Sequence, residues 1–190
     1  MATTATPPSK TQRTRARLMV AAFELFARQG YEQTTVAQIA AAAGVTEMTF
    51  YRHFGSKVQL LVDDPYDPLI ATAIGEQPAE LPPLIRTVRG IRLAWRRLPI
   101  TDEEPVRERV AIAAATPSLL PALRASSAAT EQAISEQLVA DGTDPTEAAV
   151  AAAAAMAAMM TGLTRWATTD GGALGAAIER SLDVLEAGND

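Results

Sequence analysis

After a first long amphipathic stretch, the chain starts and stops three helices in quick succession, and this punctuation constrains the fold more than any other feature. Lys10 to Gln29 carries Leu18, Ala22, Leu25 and Phe26 on one apolar stripe and halts at Gly30. Thr35 then reads as an N-cap, with Gln38 three positions on completing a capping box. Val36, Ile39 and Ala40 form the buried side of that short helix, and Gly44 ends it. Thr46 caps a third helix from Glu47 to about His53. Ser56 caps a fourth, with Gln59 at its N3 position. A glycine between two short helices lets them cross steeply, which a hairpin of ordinary helices cannot do.

No later segment shows sustained period-two alternation, so strands are not expected. Pro65 and Pro68 interrupt the fourth helix. Leu84, Val88, Ile91 and Trp95 mark a fifth helix that ends before Pro99. Thr101 to Glu104 opens a sixth, about 104–115, and a seventh spans about 118–140. Asp144-Pro145-Thr146-Glu147 is a strong start signal for an eighth that runs to about Thr168. Gly171-Gly172 separates it from a ninth, which runs to about Ala187. The expectation is an all-α chain of about nine helices behind a disordered tail, residues 1–9.

Composition closes several functional classes. With no Cys and one His among 190 residues, disulfides, thiol nucleophiles and multi-histidine metal sites are excluded. No Ser-His-Asp, phosphate-loop or metal-ligand spacing is present, so no catalytic residue and no cofactor is expected. The longest apolar run, Ala148 to Met160, is short for a membrane span and mostly Ala. The opening MATTATPPSK lacks the apolar core of a signal peptide. A cytoplasmic, non-enzymatic protein that does not enter the membrane is expected.

The net charge of −5 hides an asymmetry. Residues 1–57 hold seven basic and three acidic residues, whereas 58–190 hold ten basic and nineteen acidic. A basic head, 10–57, on an acidic body, 58–190, is the electrostatic pattern of a DNA-binding unit carried by a regulatory domain. In a helix-turn-helix unit the second helix enters the major groove by its N-terminal residues. Here that helix, behind its cap Thr46, carries Glu47, Met48, Thr49, Tyr51, Arg52 and His53. Phe50 and Phe54 are one turn apart and read as core, which leaves Tyr51 outside. Arg13, Arg15 and Arg17 read either as a solvated helix start or as contacts to DNA. A helical protein-binding adaptor is the alternative, but it has no use for the basic head.

The stretch from Leu18 to Leu61, LMVAAFELFARQGYEQTTVAQIAAAAGVTEMTFYRHFGSKVQLL, resembles the TetR family of transcriptional regulators. That resemblance implies a helix-turn-helix domain and a helical ligand-binding and dimerisation domain. It also implies a homodimer that binds palindromic operator DNA and releases it on taking up a small molecule. By position it places Tyr51, His53 and Lys57 against phosphates, Thr35 and Thr49 in secondary contacts, and Glu47 and Met48 at bases. An acceptor such as Glu47 suits a cytosine amine.

In the body, Trp95, Met156, Met159 and Met160 are candidate lining residues for a mostly apolar effector, since Met adapts to varied apolar ligands. Nine of the eleven residues from Ala148 to Ala158 are Ala, which permits close helix approach. Ala155 and the stripe Leu174, Ile178, Leu182 and Leu185 are the candidate dimer interface, as surfaces with no other evident burial.

Overall fold

The computed structural model describes residues 9–62, 67–98, 102–169 and 172–187. Among these residues there are ten α-helices, one 3-10 turn and no strand. The chain divides after Val62 into two compact units. The expected tail, Pro65, Thr101 and Gly171 lie outside the described residues, apart from Ser9.

The first unit holds α1 (Lys10–Gln29), α2 (Val36–Ala42), α3 (Glu47–Phe54) and the single turn α4 (Gln59–Val62). Both central caps form as their residues dictate. Thr35 Oγ1 accepts from Gln38 N at 3.2 Å while Gln38 Oε1 accepts from Thr35 N at 2.9 Å. Thr46 Oγ1 accepts from Thr49 N at 3.2 Å. Gly30, Gly44 and Gly55 close α1, α2 and α3 with φ of 82°, 63° and 64°, a region that other residues enter only at a cost. Leu18, Ala22, Leu25 and Phe26 of α1 are buried together with Ile39, Ala40, Phe50 and Phe54. One expectation shifts: α4 starts at Gln59, so Ser56 and Lys57 belong to the preceding turn.

The second unit contains α5 (Asp67–Gly75), α6 (Pro83–Arg97), α7 (Glu104–Ala115), α8 (Leu120–Ala140), α9 (Pro145–Thr168) and α10 (Leu174–Ala187). The tenth helix in the count is α5. Pro68 does not end a helix there; it falls in the first turn, where a missing N–H costs nothing. Asp144 caps α9 as expected, its Oδ1 accepting from Thr146 N at 2.8 Å. The start of α7 differs: Asp102 Oδ1 accepts from Glu104 N at 3.1 Å.

Helix α9 is the centre of this unit, with α6, α7, α8 and α10 packed on it. By length and hydropathy alone it could span a membrane; Ala148, Ala151, Ala152 and Ala155 are buried in the unit's core, whereas Ala149, Ala153 and Ala157 are exposed. Gly90 of α6 lets α5 approach closely, because a Cβ there would stand 2.3 Å from Ile74 Cγ1. The first turns of α7 clip the α9–α10 turn. Glu103 Oε2 accepts from Leu174 N at 2.9 Å, and Arg107 donates to Trp166 O at 2.8 Å while stacking over the indole at 4.2 Å. A carboxylate thus meets the positive end of α10 and a cation the negative end of α9. On the other side, Arg92 of α6 is held by Glu179, Asp183 and Glu186 of α10 at 2.5–2.7 Å.

Candidate nucleic-acid interface

Phe50 and Phe54 anchor α3 from below, with ring centroids 5.6 Å apart. Their burial turns the opposite side of this eight-residue helix outward. Glu47 and Arg52 are exposed, Met48 is 77% exposed and Tyr51 47%. Thr35 and Thr46 are exposed at the N-termini of α2 and α3, so the positive end of each helix is open to solvent. Thr49 is half-buried, its hydroxyl 3.0 Å from that of Thr46. His53 is half-buried too.

Lys57 sits differently from the expectation of a helix N1 position. Its ammonium donates to Tyr31 O at 2.7 Å and to Thr34 O at 2.8 Å, and it stands 4.0 Å over the Tyr31 ring. Burial pushes its pKa down, with Glu32 partly opposing. Burial, with Glu32 adding, pushes the Tyr31 hydroxyl up. Two arginines of α1 make bonds of the same kind. Arg15 donates to His53 O at 3.0 Å and stacks over Phe54 at 4.2 Å, and Arg17 donates to Ala43 O. Sequence reasoning missed these bonds, which join residues 26 and 38 positions apart and leave no local pattern.

In the second unit, two groups of candidates separate. Ala155, Leu174, Ile178 and Leu182 are at most 1% exposed and belong to the unit's own core. They are therefore not a free surface for a partner: α6 and α9 cover the side of α10 that its stripe presents. Leu185 is half-buried beside a different surface, an open groove of about 740 Å³ between the outer sides of α9 and α10. That groove is lined by Ala154, Ala157, Thr161, Arg180 and Val184 among others. Met156 is a core residue, and Trp95 packs on α10, its Nε1 3.3 Å from where a Gly175 Cβ would be. Met159 and Met160 are half-buried. None of these four lines the α9–α10 groove.

Residues 18–63 match the family described as bacterial regulatory proteins, tetR family, and residues 82–190 match the MftR C-terminal domain. The chain belongs to the TetR family. The HTH-type transcriptional regulator TcmR of Streptomyces glaucescens is 47% identical over 77 residues, 40% of this chain and 34% of TcmR. The chain thus matches about a third of that relative's length. Solved structures share the whole fold. NalD of Pseudomonas aeruginosa, a secondary repressor of a multidrug efflux pump, superposes with a TM-score of 0.60 at 24% identity, over 94% of this chain and 98% of NalD. SmeT of Stenotrophomonas maltophilia, solved with triclosan, gives 0.63 at 19% identity, over 93% and 91%. Within the TetR family match, α2 and α3 fall entirely inside the first matched segment, and α6 to α10 inside the second.

Proposed function

We propose that this TetR-family protein is a transcriptional repressor that binds a palindromic operator as a homodimer and is released by a small molecule. The observation that carries the reading is the outward side of α3. Glu47, Met48, Tyr51 and Arg52 stand exposed on α3, behind the exposed cap Thr46, on a segment with a local excess of positive charge. Donors and dipole ends of this kind hold phosphates, while the first turn of α3 reads base edges.

One short helix reads one half-site, and successive major grooves on one side of DNA lie about 34–36 Å apart. A second copy supplies the second helix. The groove between α9 and α10, lined by Val184 at 72% exposure and, on α9, by the small residues Ala154, Ala157 and Ala158, suits the same groove of a partner copy. The effector site is proposed near the half-buried Trp95, Met159 and Met160; SmeT with triclosan supports a small, mostly apolar aromatic ligand. A cytoplasmic location follows from this role.

Selection of bound sequences from random duplexes, followed by affinity titration over a range of salt, tests the reading. A palindrome should emerge, with log K falling steeply against log salt. Weak, salt-independent binding to every duplex would overturn it.

A further inference from the structure

Seven cations give the first 57 residues their positive charge, yet the structure gives three of them work inside the protein. Arg17 donates to the carbonyl of Ala43, which closes α2. Arg15 donates at 3.0 Å to the carbonyl of His53, in the last turn of α3. Lys57 places two of its three N–H donors on the carbonyls of Tyr31 and Thr34, in the turn that leads into the cap of α2. The last carbonyls of a helix have no partner within it and carry its negative pole, so a cation is the group that satisfies them best. Arg15 and Arg17 are two residues apart on α1. They leave that helix on nearly opposite sides, one toward the end of α3 and one toward the end of α2.

We infer that Arg15, Arg17 and Lys57 are positioning residues: Arg15 holds the end of α3, Arg17 the end of α2 and Lys57 the turn before α2, so that together they fix the α2–α3 pair and thereby its operator specificity, and they do not serve as phosphate contacts. This rests on the DNA-binding role proposed above and departs from the phosphate role that family resemblance implies for Lys57. The lever is short but sufficient. An eight-residue helix is about 12 Å long. Pivoting it about its pinned C-terminal end by about 10° moves Glu47 and Met48 by about 2 Å, more than a base-edge hydrogen bond tolerates. A phosphate contact, by contrast, is a point-charge interaction that survives such a shift. Loss of a pin should therefore weaken operator binding while leaving non-specific binding and its salt dependence intact.

The test uses the full chain, the selected palindrome and a mixed-sequence duplex, with affinity measured by fluorescence anisotropy across a salt series. Lys57→Met and Arg17→Gln should lose about tenfold or more in operator affinity and less than about twofold on the mixed duplex, with the salt slope unchanged within about 0.3. Arg52→Gln is the control for a phosphate contact: both affinities fall in step and the slope drops by about 1. Lys57→Gln, neutral but still able to donate to the two carbonyls, should recover part of the Lys57→Met loss. Far-UV circular dichroism checks folding. If Lys57→Met or Arg17→Gln is unfolded, the same readings are taken on Lys57→Gln and Arg17→Lys. A slope that falls by about 1 in Lys57→Met, with both affinities falling together, would make Lys57 a phosphate contact and overturn the inference. Folded variants with unchanged operator affinity would overturn it as well. Wild type that binds no duplex removes the DNA-binding role itself, an outcome distinct from both.

Discussion

Arg86 of α6 donates its Nη2–H to Asp141 Oδ2 at 2.5 Å, tying the first turns of α6 to the residue that closes α8. Arg86 is 2% exposed, and its Nε and Nη1 have no partner. Gln137 also donates to Asp141 Oδ2, at 2.9 Å. A buried guanidinium with one bond depends heavily on that bond, because removing the partner strands a charge. Asp141→Ala should cost about 3 kcal/mol, the low end for a broken buried pair because the Asp141 side is partly open to water. Arg86→Met combined with Asp141→Ala should regain most of the loss. Denaturant unfolding of the two variants and the wild type decides the point; equal loss in the single and double variants would refute it.

The same pair sets a pH response. Gln137 first, and Arg86 with it, hold the Asp141 carboxyl below its usual value of 3.8. In acid the unfolded chain protonates at that position before the folded chain does. Stability is then present above about pH 4 and is lost as pH falls through the lowered folded-state value. The melting temperature of the wild type should drop across this interval more steeply than that of Asp141→Asn, which has no carboxyl to titrate.

Gly90→Ala should destabilise the second unit although Ala is the better helix former. The added Cβ would meet Ile74 at 2.3 Å on its side chain and at 2.7 Å on its Cα, and backbone cannot step aside as a side-chain tip can. A net loss of about 1–3 kcal/mol, or a fall of about 5 °C or more in melting temperature, is expected. An unchanged melting temperature would mean that α5 and α6 separate without cost.

Val184→Glu tests the proposed dimer surface. Val184 is 72% exposed beside the α9–α10 groove, so the change leaves the subunit core intact. Sedimentation should show wild-type dimers and Val184→Glu monomers of about 20 kDa with normal helicity. Operator affinity should collapse with the dimer. Ile178→Glu would not report on association, because Ile178 is 1% exposed inside the subunit and its replacement unfolds the chain.

Glu47→Ala addresses base reading. Glu47 is exposed in the first turn of α3. Its loss should change which base is preferred at one operator position, by about 1–3 kcal/mol, without altering the salt slope. A uniform loss over all sequences would place Glu47 outside the base contacts.

Sequence by itself determined where most helices of this protein start and stop, α4 and α5 excepted, and the outward side of α3. Caps such as Thr35 with Gln38, Thr46 and Asp144, and stops such as Gly30 and Gly44, act within four residues, so their chemistry is complete in the local chain. The Phe50–Phe54 spacing likewise settles which side of α3 is buried. What only the tertiary structure decided is which apolar stripe faces which neighbour and where each cation goes. The stripe Leu174, Ile178 and Leu182 looks the same in sequence whether α6 or a second subunit covers it. Periodicity names a side of a helix but not the partner. Arg15, Arg17 and Lys57 likewise look like any solvated basic residues until folding brings distant carbonyls within reach, since the carbonyls that recruit them lie 23 to 38 residues away.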